Sequence, residues 1–156
     1  MNEIGSYQNR KIIWSDYAEL LHGTMPKDPW ICLCTSSLKK PDFDKFDEFT
    51  RKSIQNGLLE FKGHGIYGEL IHDLFDETAA IMVAIEKHPE IETMTTWHTD
   101  ETLAYTFWQC FFATCLPKNT NQENLTIVCT DLDGINRTAE LAEYMNRFKK
   151  GWLPEN

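Results

Sequence analysis

The chain has 156 residues, 42% hydrophobic and 12% aromatic, a composition that excludes a disordered segment and allows one domain with a substantial core. Its formal net charge is −9, so nucleic acid and anionic membrane surfaces are not expected as partners. No apolar run reaches the roughly 18 residues that a membrane span requires.

Residues 1–28 read as a lead-in segment and residues 29–156 as a single α/β domain. The opening, MNEIGSYQNRKIIW, is polar and does not read as a secretory signal. The five cysteines are odd in number and sit mostly in apolar surroundings, which predicts reduced thiols and a cytoplasmic location. Ile12-Ile13-Trp14 is a short apolar run, and Asp16 to His22 predicts one or two helical turns stopped by Gly23 and Pro26.

Regular alternation begins after Pro29. Trp30 to Ser37 is a nearly continuous apolar run, the pattern of a strand buried on both faces. Asp42 to Gly57 carries Phe43, Phe46, Phe49 and Ile54 near helical spacing, with Gly57 as a stop. Leu58 to Gly65 reads as a second strand and Tyr67 to Glu77 as a second helix. The segment TAAIMVAIEKHPE is compatible with extending that helix or with a separate element. Ile91 to His98 is a Thr-rich strand. Thr99 to Cys115 is a third helix, apolar around most of its circumference, with Thr99 as its N-cap. Leu125 to Leu132 is a fourth strand, and a fourth helix follows, with Asp133 as N-cap and Gly151 at its end.

Strand-helix repeated four times predicts a three-layer sandwich whose mostly parallel sheet has four or five strands, flavodoxin-like in outline. Folds of this class bind ligands beyond the carboxyl ends of the strands. Four corners are therefore privileged: Thr35 to Ser37, Lys62 to Gly65, Trp97 to Asp100 and Thr130 to Gly134. At the third, His98 stands beside Asp100 and Glu101, a combination suited to proton transfer. The same acids also fit the first turn of a helix. GHGIYG, residues 63–68, has the literal G-x-G-x-x-G spacing, but without its usual context it reads as a turn around His64. Glu69 and His72 have the carboxylate-histidine spacing of di-iron bundles, yet no second pair exists and the fold is wrong, so a solvated face is the expectation. Asp131 and Asp133 resemble the nucleophile corner of haloacid dehalogenase phosphatases, but only 22 residues follow Gly134, too few for that family. No zinc spacing and no nucleophile elbow occur.

GHGIYGELIHDLFDE followed by MTTWHTDETLAYTFWQCFFATCLP resembles a family of small uncharacterised bacterial proteins, a domain of unknown function. The matching residues are Trp30, Cys32, Gly63, Glu69, His72, Asp73, Asp76, Met94 to His98, Asp100, Glu101, Leu103, Trp108 and Pro117, within a span from Trp30 to Asp131. The resemblance implies no activity; it groups the His72 helix with the His98 corner as one surface.

The residues favour the first of two functions over the second, with a metal site through His72 the weakest reading, and whether the protein is an enzyme is open. One is a cytoplasmic interaction or regulatory module, of the immunity type for example, meeting a protein partner or a second copy through the aromatic helix Phe107–Phe112. The other is a small-molecule-binding domain or enzyme with a site formed from His64, Glu69, His72, Trp97, His98, Asp100 and Asp131. No cofactor and no metal are expected.

Overall fold

Six strands form one sheet in the computed structural model, which describes residues 1–27 and 29–156. The boundary drawn at residue 28 falls on the residue outside that description. Strands β1 (Asn2–Tyr7) and β2 (Arg10–Trp14) form an antiparallel hairpin. Its two turn residues, Gln8 and Asn9, both take positive φ (52° and 61°), the backbone that a two-residue hairpin turn demands. The remaining strands are β3 (Trp30–Thr35), β4 (Leu58–His64), β5 (Met94–His98) and β6 (Leu125–Asp131).

The order is β1-β2-β6-β3-β4-β5, parallel throughout except for β1. Six strands replace the expected four or five, because the lead-in supplies two. The order also departs from the flavodoxin outline, in which the last strand lies at an edge. Here β6, the last in the chain, inserts between β2 and β3. The reason is visible in the side chains: every residue of β3 and β6 is buried, and such strands must lie at the centre.

Helices α1 (Tyr17–His22), α2 (Phe43–Gln55) and α3 (Gly68–Ala84) cover one face. Helices α4 (Leu103–Phe112) and α5 (Thr138–Lys149) cover the other. Strand alternation divides the core between them. Trp30, Cys32 and Cys34 of β3 pack with Phe46, Phe49, Phe61 and Phe75 on the first side. Ile31 and Leu33 pack with Phe107, Phe111, Met145 and Phe148 on the second. TAAIMVA belongs to α3, which buries Phe75, Thr78 and Met82 in succession.

Two expected caps are displaced. Helix α4 starts at Leu103, and Thr102, not Thr99, caps it by accepting from Tyr105 N at 3.2 Å. Helix α5 starts at Thr138, five residues beyond Asp133. Thr99 and Asp133 bind other backbone groups instead. The aromatic content of α4 is largely absorbed by packing. Phe107 and Phe111 face the core, leaving half-buried Trp108 and exposed Phe112 as what remains of the Phe107–Phe112 surface. Among the described residues, no helix is long and apolar enough to cross a membrane.

The helices that follow β3 and β4 pack on one face, and those that follow β5 and β6 on the other. Helix α1, after β2, joins the first face, so crevices open at three places along the carboxyl edge, between β4 and β5, between β3 and β6 and between β6 and β2, where neighbouring connections leave in opposite directions.

Candidate functional site

Strand register places four polar residues in a row. Asp131 pairs with Thr35, Thr35 with His64 and His64 with His98 at the carboxyl ends of β6, β3, β4 and β5. Register partners in a parallel sheet project to the same face, here the α4–α5 side, on which Leu33 precedes Thr35.

His98 is buried, and both ring nitrogens are engaged. Nδ1 lies 2.7 Å from Glu101 Oε2, and Nε2 lies 2.8 Å from Thr96 Oγ1. The same Glu101 oxygen accepts from Thr106 Oγ1 at 3.1 Å and Gln109 Nε2 at 2.6 Å, so α4 holds the carboxylate in place. Burial lowers the His98 pKa below the ordinary histidine value, partly opposed by Glu101 and assisted by the Lys62 charge. A neutral ring with its proton on Nδ1 meets both contacts: it donates to Glu101 and accepts from the Thr96 hydroxyl. Both nitrogens are thereby satisfied within the fold, which fixes the ring. The acid beside His98 is thus a side-chain partner, not a first-turn helix acid.

His64 donates from Nε2 to the Glu101 carbonyl at 2.9 Å, while its buried Nδ1 has no hydrogen-bond partner among the described residues. Burial lowers its pKa as well. Asp131 is fully committed. It accepts from Thr35 Oγ1 at 2.5 Å, Asp133 N at 2.8 Å, Ile135 N at 3.1 Å and Arg137 Nε at 3.0 Å. It clamps the end of β6 to β3 and to the approach to α5.

An open pocket of about 230 Å³ lies beyond β5, lined by Glu69, Trp97, His98, Thr99, Asp100 and Glu101. Four expected residues meet here: Glu69, Trp97, His98 and Asp100. Trp97 is 52% exposed. His72 stands behind it, with ring centroids 4.6 Å apart, and is itself held by Asp73 at 2.9 Å and Asp76 at 3.4 Å. His72 therefore supports the indole from the α3 face. Thr99 ties the two elements together by accepting from Glu69 N at 3.2 Å. His64 lies one strand further in, and Asp131 two strands beyond that. Among the described residues, no three His, Cys, Asp or Glu side chains are disposed to hold a metal ion.

The glycines of GHGIYG serve packing. A Cβ on Gly63 would lie 2.6 Å from the Gly68 carbonyl oxygen, and one on Gly68 would lie 2.8 Å from that of Gly63. Their absence lets α3 approach β4 closely. The Tyr67 and Gly68 amides are spent on Ser36 O and Gly65 O, so this corner is a turn.

A family model described as Domain of unknown function (DUF7684) matches residues 14–148. The chain belongs to that family. No curated protein and no solved structure matches it. The DUF7684 span is wider than the Trp30–Asp131 stretch that carried the resemblance. It begins at the last residue of β2, ends within α5 and contains every residue of the pocket and of the polar row. The family brings no activity with it.

Sequence reasoning missed the partners of Glu101. Thr106 and Gln109 lie five and eight residues beyond it, on a helix that reads as purely apolar. Neither spacing is the i,i+3 or i,i+4 of a helical pair, and Glu101 lies before the helix, so no local signal marked them. It also missed Lys45 and His22, which the fold brings beside Lys39 and Lys40 from separate elements.

Proposed function

We propose that this domain binds a small molecule carrying a cationic group in the pocket beyond β4 and β5. One observation carries the reading: three acidic residues, Glu69, Asp100 and Glu101, line one pocket with the exposed Trp97 and with His98. Carboxylates attract an ammonium or guanidinium group, and an indole face adds cation–π attraction. His98, held at Nδ1 by Glu101 and at Nε2 by the Thr96 hydroxyl, forms a fixed wall of the pocket. Five free cysteines, four of them buried, support the cytoplasmic location expected from the sequence.

The test is a thermal-shift screen of the full chain against amines, amino acids and their derivatives, with divalent metals and anionic metabolites as comparison sets. Saturable stabilisation by cationic ligands, lost in Asp100→Asn and His98→Gln, is the expected result. Equal shifts in wild type and variants, or no shift with any amine, would refute the reading.

A second reading, an interaction module, is favoured by exposed Trp97 and Met94 on β5, a strand at the edge of the sheet. On that reading the cationic group is a Lys or Arg of a protein partner.

A further inference from the structure

The second crevice, between β3 and β6, opens on the opposite face and has the opposite charge. A pocket of about 180 Å³ lies there, lined by residues from α1, from the loop after β3 and the start of α2, and by Leu132 after β6. Its polar groups are Tyr17, His22, Lys39, Lys40, Asp42 and Lys45. Three ammonium groups and an imidazole thus gather around one cavity in a chain that carries 24 acidic residues against 15 Lys and Arg. A solvated surface of this protein should be dominated by carboxylates, so the cluster runs against the overall balance.

The cations are not explained by pairing. None of Lys39, Lys40, Lys45 and His22 forms an ion pair with a carboxylate among the described residues. Asp42, the one acid in the lining, accepts from Lys45 N at 3.1 Å as the cap of α2. Lys40 is held by the ring of Phe43, its ammonium 5.1 Å from the centroid. Asp133 fixes the loop by accepting from three successive amides, Ser37 at 2.8 Å, Leu38 at 3.0 Å and Lys39 at 3.2 Å. The Tyr17 hydroxyl makes no hydrogen bond among the described residues. Burial keeps it protonated, and therefore a donor.

From the cavity, its unpaired cations and its place at the switch between β3 and β6, we infer that this pocket is an anion site for a phosphate group, free or carried by a small molecule. The lysines supply charge, and Tyr17 supplies a neutral hydrogen-bond donor. The volume suits one phosphate with a short substituent. The site is separate from the acidic pocket in position and in sign, so a ligand of one is not a ligand of the other.

The probe is inorganic phosphate, titrated by calorimetry and by amide NMR against sodium chloride at matched ionic strength. Wild type should bind saturably, with shifts concentrated at Ser37 to Lys45 and at Tyr17. Lys40→Gln/Lys45→Gln should weaken binding by roughly tenfold or more, since charge-assisted hydrogen bonds are lost. Lys149→Gln/Lys150→Gln, at the basic end of α5, should leave it unchanged. A small phosphorylated metabolite that binds more tightly than phosphate at the same residues would identify the substituted source; phosphate binding as tightly would identify the free ion. Absence of saturable binding to wild type, or equal affinity in the pocket variant and the α5 variant, would overturn the inference. Both lysines are exposed, so folding of the variant is checked by its unchanged melting curve.

Discussion

Lys62→Met probes the charged layer beneath the site. Lys62 and Glu60 are 1% and 0% exposed, with Nζ 2.7 Å from Oε1. At an effective dielectric of about 20, the attraction across that distance is roughly 6 kcal/mol, comparable with the several kcal/mol that burial costs each ion. The intact pair is therefore nearly neutral, while a broken one is expensive. Removing Lys62 leaves Glu60 with the Cys115 amide and a more distant Arg10, and the expected loss is about 3–5 kcal/mol. Lys62→Met/Glu60→Gln should recover more than half of it. Burial already raises the Glu60 pKa, and Lys62 opposes that rise. Without Lys62 the folded-state value climbs further. A raised carboxyl contributes stability that is present below its unfolded pKa and lost as pH rises through the folded one. The Lys62→Met deficit should therefore be larger at pH 8 than at pH 5. Urea denaturation of wild type and both variants at the two pH values measures this. A single-variant loss under about 1 kcal/mol, or a double variant less stable than the single, would refute the reasoning.

Burial lowers the pKa of His64 and His98 below the unfolded value of 6.5, so the stability they contribute is present above pH 6.5 and lost as pH falls through the lowered values. The urea midpoint should drop between pH 7 and pH 5, and His64→Asn/His98→Asn should flatten that drop. Gly63→Ala should cost about 1–3 kcal/mol by forcing α3 off β4, measured by thermal unfolding. Asp133→Ala should free the amides of Ser37 to Lys39, speeding their hydrogen exchange and costing roughly 2–3 kcal/mol.

The centre of the sheet is legible because burial on both faces leaves a continuous apolar run, as in Trp30 to Thr35 and Leu125 to Asp131. Strand β1 is not legible, because NEIGSY is an edge strand whose pairing is fixed by β2 and whose two core-facing side chains, Ile4 and Tyr7, are too few to set a period. The insertion of β6 beside β2 rests on contacts between residues more than a hundred positions apart, such as Ile12 and Ile127, which local periodicity does not encode. His98 is legible as a site residue from its place at a strand end. Its bond to Glu101 is not, because acids near a helix start usually serve the helix. Here the helix begins at Leu103, three residues later than a cap at Thr99 requires. The Lys39–Lys40–Lys45–His22 cluster is invisible for a third reason: its members come from different elements and meet only in the fold.

The central claim is that the Trp97–His98 pocket takes a cationic group. NMR titration of the full chain with arginine amide, observing the Trp97 indole N–H and the His98 ring, tests it most directly. The account predicts saturable shifts at both residues, weakened roughly tenfold in Glu69→Gln/Asp100→Asn. Unmoved Trp97 and His98 resonances, or the same affinity in that variant, would contradict it.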